Sequence, residues 1–448
     1  MKTNATCVQM SLFSFMILLC FQVLSGNVSQ ADWDRLQYYS RKVKAFRAGY
    51  GYDPRVHPSA LVRIAQLQPS GLFPSLRHLS YTLTAFSISH IFLFLSPLLD
   101  SLELDNIRDL ENTFVGPFLA TLSCSPQMLR RIVLSSGRMS VDTLKRSTVN
   151  FKHLRSLELL DAVLLRDFSL WEVLGTLPSL ENLTLEDNDP ASASHPRNDP
   201  ENSNSQSGGL RYFDALESLE VTGSIFLIQH LLGLINSPCF KSIEVTVFED
   251  EPEDLLTPSM TIVASKWSQC LKNLSITLSP RSIANGITHR NLTLFTDLHE
   301  IQTFRLDDCR MENNNDAARC LAMSWPRLQI LDLYSSHPPT QMFISISTLR
   351  IIAENCLDLR CLDIQLDISI IPLFDDISIK KLRHNLETLE IQDVLAPDSS
   401  PQKMLEYQID VARHLDLIFP YLKTIEVRDE KWLGICNLVK LYQNARGQ

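Results

Sequence analysis

One hexad recurs thirteen times along the 448-residue chain, with an apolar side chain at its first, fourth and sixth positions. The first six copies are Leu76/Leu79/Tyr81, Leu99/Leu102/Leu104, Leu129/Ile132/Leu134, Leu154/Leu157/Leu159, Leu180/Leu183/Leu185 and Leu216/Leu219/Val221. The other seven are Phe240/Ile243/Val245, Leu271/Leu274/Ile276, Ile301/Phe304/Leu306, Leu328/Leu331/Leu333, Leu359/Leu362/Ile364, Leu386/Leu389/Ile391 and Leu422/Ile425/Val427. A single match of this kind is uninformative. Thirteen in register leave few folds open, because residues four and six of an extended segment share one face while three and five share the other. No strand can bury that apolar face alone. Copies laid side by side as a parallel sheet can, provided that each connection crosses back on the outside, where a helix fits.

The first positions lie 23 to 36 residues apart, with a mean of about 29. Hexad and period together are those of a leucine-rich-repeat solenoid. The expected fold is therefore α/β: a right-handed arc with a parallel β-sheet on its concave face and helices on its convex face. Uneven spacing points to connecting segments of variable length, unlike the strict period of ribonuclease-inhibitor arrays. Helical apolar spacing between hexads is visible at 86–95, 165–174, 348–353 and 404–418. Pro74, Pro97, Pro178, Pro238, Pro326 and Pro420 each stand two residues before a first position, where they are expected to stop the helix and start the extended segment.

These marks divide the chain into a signal-like or mis-assigned segment (1–28), a helical N-terminal cap (29–60), an array of about 13 units (61–430) and a C-terminal cap (431–448). Within the cap, residues 33–46 place Trp33, Leu36, Tyr39, Val43 and Phe46 near helical spacing, and residues 432–442 serve the other end. Residues 187–209 are polar and low in complexity, and read as a disordered insertion in a continuous stack. A linker between two domains is the alternative.

Composition narrows the function. Lys plus Arg at 41 against Asp plus Glu at 51 gives a net charge of −10, the wrong sign for neutralising phosphates, so nucleic acid is not expected as a partner. Only 14 glycines weigh against phosphate-cradling loops. No Gly-x-Ser-x-Gly, Walker A, His-Glu-x-x-His or calcium-loop motif occurs, so neither an enzyme nor a cofactor is expected. The ten cysteines are dispersed and suit small buried hydrophobes better than a disulfide framework. Cys356 and Cys361 lack the second pair that a zinc knuckle needs, so no metal is expected. His78, His153 and His384 fall at or near strand starts, where a satisfied or solvated ring outweighs a ligand or base.

Residues 12–24 form an apolar run after a single Lys, followed by Ser25 and Gly26. The run is too short for a stable membrane span and has the form of a secretory signal; a buried helix or a mis-assigned exon is the other reading. Sequons at Asn4, Asn27 and Asn291 favour export, whereas those at Asn182 and Asn273 lie inside hexads and carry little weight.

The fifth position faces the concave surface and carries the one chemical signal above background. Eight of its thirteen residues are acidic: Glu103, Glu158, Glu220, Glu244, Asp332, Asp363, Glu390 and Glu426. Stacked at about 4.8 Å, like charges repel unless something neutralises them. The functional reading is an acidic stripe that receives a basic face of a protein partner. The plain reading is a solvated row screened by water and by Arg155, Lys241, Lys272, Arg360 and Lys423 near the strand starts.

The segment Asn355-Cys356-Leu357-Asp358-Leu359-Arg360-Cys361-Leu362-Asp363-Ile364 resembles the cysteine-containing repeats of F-box/LRR proteins, in which a helix ending in Asn-Cys runs into the hexad. Tyr38-Tyr39-Ser40-Arg41-Lys42-Val43 is similar to the segment preceding the repeats of fungal F-box-like proteins. The resemblance covers about residues 29–427 and implies substrate recognition for a ubiquitin ligase, with an intracellular location. In that family an F-box docks on a Skp-type adaptor. Here residues 1–27 contain no Leu-Pro-x-Glu followed by helical spacing, so the chain departs from the family at that point. A secreted or surface recognition protein of the same fold is the alternative.

Overall fold

A computed structural model describes residues 30–48, 71–83, 88–124, 128–136, 139–160, 165, 167–187, 212–247, 256–278, 286–287, 293–307, 310–311, 314–334, 343–372, 382, 384–397 and 400–447. The signal-like segment and nearly all of 187–209 lie outside these residues. The chain forms two compact units, Met1–Asp189 with Pro196–Leu216, and Pro190–His195 with Glu217–Gln448.

The first unit runs α1 (Gln30–Ser40), β1 (Ala45–Ala48), β2 (His78–Thr82), a 3-10 turn (Ile88–Phe94), β3 (Ser101–Ile107), α2 (Asp109–Cys124), β4 (Arg131–Ser136), α3 (Val141–Thr148), β5 (Ser156–Leu160), α4 (Phe168–Gly175) and β6 (Asn182–Glu186). Each strand pairs in parallel with the next. The second unit runs β7 (Ser218–Gly223), α5 (Ile225–Leu234), β8 (Ser242–Val247), α6 (Leu256–Trp267), β9 (Asn273–Leu278), β10 (Gly286–Ile287), β11 (Thr303–Asp307), β12 (Arg310–Met311) and α7 (Asn314–Ser324). It continues through β13 (Ile330–Tyr334), β14 (Phe343–Ser345), α8 (Ile346–Asn355), β15 (Cys361–Asp367), β16 (Thr388–Leu395), α9 (Pro401–Ile418), β17 (Thr424–Val427) and α10 (Leu433–Gly447). Its parallel sheet has the order β7-β8-β9-β11-β13-β15-β16-β17, with β14 beside β15 and β10–β12 as a separate pair.

Both units are leucine-rich-repeat solenoids, and the register shows why. Every one of the thirteen hexads begins its strand at the third position. Neighbouring copies are aligned position for position, as in Leu219↔Ile243 and Glu220↔Glu244. The apolar residues at positions one, four and six are all buried, and helices such as α5 (Ile225, Leu227, Ile228, Leu231, Leu232) bury a matching face. Where the strands begin, the N–H groups of positions two and three both reach the position-two carbonyl of the preceding unit. Lys241 and Ser242 do so to Glu217, at 2.8 and 3.1 Å.

The prolines act one step later than expected. Instead of ending helices, Pro74, Pro97 and Pro326 occupy the second residue of a tight turn closed from the first-position N–H, as in Leu76 to Phe73 (3.0 Å) and Leu328 to Trp325 (3.1 Å). A φ fixed near −65° suits that place. At the N-terminus the helix stops at Ser40, not Phe46. Turns from Lys42 to Tyr39 and Val43 to Ser40 end it, and Ala45–Ala48 becomes a strand in register with His78–Tyr81. Phe46 then packs on Phe73 and Phe94 as an added rung. At the other end Trp432, Ile435 and Val439 are buried beside the last strand.

The inward rungs carry the stability and the outward residues do not. Leu274→Ala removes a fully buried side chain and is expected to cost about 2–5 kcal/mol. Ser275→Ala, one residue on, is expected to stay within about 0.5 kcal/mol. Urea unfolding of the two variants measures the difference.

Candidate functional site

Fifth-position side chains project from the sheet face opposite the buried rungs, and parallel pairing sets them in rows. In the first unit the row reads Arg47, Ser80, Glu103, Val133, Glu158, Thr184. Glu103 and Glu158 are therefore not neighbours, since Val133 stands between them. In the second unit Glu220 faces Glu244, then Ser275, Arg305, Asp332, Asp363, Glu390 and Glu426 follow in order. The eight candidate acids thus fall into two separated glutamates, one facing pair and one run of four.

Cations absent from the sequence-level reading accompany these acids. Arg47 lies 3.9 Å from Glu103, Arg131 lies 2.9 Å from Glu158, and Arg428 holds Glu390 through two nitrogens at 2.9 and 3.0 Å. Three of the five bases expected to screen the row pair elsewhere. Arg155 pairs with Glu181 (3.0 Å), Lys241 with Glu217 (2.8 Å) and Lys423 with Glu387 (3.0 Å). All six belong to the second-position row, where these neighbours have opposite sign. Arg131 and Arg428 were findable, at positions three and seven of their units, but only by counting every outward position.

Burial separates the acids further. Glu220, Glu244 and Glu426 are exposed. Asp332 and Asp363 are partly buried, and each keeps one carboxylate oxygen (Oδ1) closed to solvent without a hydrogen-bond partner. Burial first, and then the carboxylate of Asp307, push Asp332 up to about 6. Burial and then Asp332 push Asp363 up to about 7, against the hydrogen bond from Gln392. Gln392, itself buried, donates Nε2 to Asp363 Oδ2 at 2.6 Å.

His384 and Cys356 have structural contacts. His384 is buried; its Nδ1 accepts from Leu386 N–H (3.1 Å), so Nε2 carries the proton and donates to the Cys356 carbonyl (2.8 Å). Burial lowers its pKa. His78 and His153 are exposed. Cys356 closes α8 with its N–H on Ile352 (2.8 Å), while burial pushes its thiol up to about 12. The described cysteines are free thiols. Among the described residues no three His, Cys, Asp or Glu side chains converge to hold a metal ion, and no helix is long and apolar enough to cross a membrane.

No protein-family model matches the chain, and no curated protein matches it. Among solved structures it is similar to the crystal structure of an internalin from Listeria monocytogenes, with 14% identity over 87% of this chain and 88% of that one and a TM-score of 0.42. It is also similar to the Rad7 and Elc1 complex in yeast, with 13% identity over 96% of each chain and a TM-score of 0.42. Identities this low say nothing of a shared ligand.

Because His384 Nδ1 accepts from the buried Leu386 N–H, His384→Leu is expected to cost about 1–3 kcal/mol by leaving that donor unpaired, while the Cys356 carbonyl keeps its bond from Leu359 N–H (3.1 Å). Chemical unfolding at neutral pH checks this.

Proposed function

We propose that this chain is a protein–protein interaction scaffold whose outward sheet face docks a partner with a basic surface. The carrying observation is the fifth-position row, in which parallel register sets Glu220 against Glu244 and runs Asp332, Asp363, Glu390 and Glu426 together. Carboxylates at strand spacing repel one another, and lysine or arginine side chains from a partner lower that repulsion. Such a face steers association more than it supplies affinity, so salt dependence is its signature.

In its finer form the reading makes the chain the substrate-recognition part of an F-box/LRR ubiquitin-ligase adaptor, working inside the cell. The support is the Asn355-Cys356 helix end running into the Leu359 hexad. Co-purification with a Skp-type adaptor tests it, and a chain that never retains the adaptor counts against it. The apolar run at 12–24 favours a second reading, a secreted recognition protein. Sequencing the mature N-terminus separates the two: cleavage after Ser25 or Gly26 means export.

An arginine-rich peptide followed by fluorescence anisotropy tests the docking face. Binding is expected to weaken with salt, and Glu220→Gln, Glu244→Gln and Glu390→Gln combined are expected to reduce affinity about tenfold, roughly 0.5 kcal/mol per lost pair. The second-position controls Glu181→Gln and Glu387→Gln are expected to leave binding unchanged. Equal binding by all variants sinks the proposal.

A further inference from the structure

Two carboxylates in this face stand in an arrangement that ionised groups do not keep. Asp332 on β13 and Asp363 on β15 are register partners. Each has an Oδ1 that neither water nor a hydrogen-bond donor reaches, among the described residues. Gln392 lies against Asp363: 8% exposed, it spends Nε2 on Asp363 Oδ2 (2.6 Å) and leaves its own Oε1 buried and unpartnered. Across two paired strands and the side chain bonded to one of them, three buried acceptors therefore have no donor, an arrangement that is costly if left so.

The surrounding charges do not supply one. From β11 come Arg305 and Asp307, from β16 Glu390, and beyond β17 Arg428. With Asp332 and Asp363 ionised, that makes four carboxylates against two guanidinium groups. Arg428 is bound through two nitrogens to Glu390. A metal ion does not fit, since no three ligating side chains converge among the described residues. A partner's basic side chain cannot reach oxygens closed even to water.

We propose that Asp332 and Asp363 hold one proton between them, and that losing it to solvent adds a negative charge to the face offered to a basic partner. Protonation turns one oxygen into a donor, which satisfies a neighbouring acceptor and removes a buried repulsion together. The weakened acidity of both groups agrees with this and belongs to the pair as one titrating unit. The linkage to partner binding rests on the docking reading above; the shared proton does not.

The native state then binds a proton that unfolded aspartates have lost above about pH 4, so stability should fall as pH rises toward 7. Two measurements on the full chain test this. Isotope-edited infrared spectra of labelled aspartate should show the carbonyl stretch of a protonated carboxylic acid near pH 5.5, gone by about pH 8.5, and strongly reduced in Asp332→Asn and Asp363→Asn. The unfolding midpoint of the wild type should drop across that window, with the slope at least halved in each variant. An absent acid band, or one undiminished in both variants, overturns the shared proton. The arginine-rich peptide should bind about threefold more tightly at pH 8 than at pH 5.5, through the added charge of the face and not through direct contact with the closed oxygens. The double variant should lose that gain. A band that behaves as expected beside an unchanged affinity overturns the link to binding alone, and a peptide that binds at no pH overturns the docking reading while the proton stands.

Discussion

Parallel strand register is the constraint on which the rest depends. Because each copy aligns with the next position for position, whatever residue type recurs in the hexad recurs as a row about 4.8 Å apart. At positions one, four and six that recurrence is the source of stability, since an aliphatic row can be buried only against other copies of itself. At the outward positions the same alignment is a liability, because recurring acids become rows of like charge. The fold cannot have the first consequence without the second.

The two outward rows meet that liability differently. At position two several neighbours of opposite sign pair directly, as in Lys241 beside Glu217 and Lys423 beside Glu387. Those pairs are solvent-exposed and contribute little to stability, yet they spare the strand starts from repulsion. At position five acids adjoin one another. Glu158 and Glu390 rely on arginines from other positions, Glu220, Glu244 and Glu426 are exposed, and Asp332 and Asp363 are drawn into partial burial. A row that water, arginines and burial must each treat in part is one in which a ligand can find unsatisfied charge.

The fold was legible because periodicity is additive: thirteen weak matches fix one register, and each strand begins at the same hexad position. Boundaries were less so. Residues 41–46 keep a helical apolar spacing, but strand pairing to His78–Tyr81 outweighs it. Row composition at position five was also readable, whereas for its neutralisation the sequence offers only candidates at the other outward positions. Arg131 and Arg428 reach the row from positions three and seven, and side-chain reach is not a property of spacing. Lys266 shows the same limit. In the sequence it is one more surface base, yet its ammonium closes the end of α5 by donating to the carbonyls of Leu232, Gly233 and Ile235 at 2.7–3.0 Å, and burial lowers its pKa.

The acids of the second unit divide by what they can do for a partner. Exposed carboxylates such as Glu220 and Glu244 attract a basic surface from a distance and lose that attraction to salt. Asp332 and Asp363 are screened less by ions because they are half-buried, and for the same reason their charge depends on proton concentration. One sheet face thus joins a salt-screened electrostatic term to a proton-dependent one, several strands apart on the same ladder. A partner long enough to cross both would be captured at one end and tuned at the other, a division that follows from unequal burial along a single row and requires no moving part.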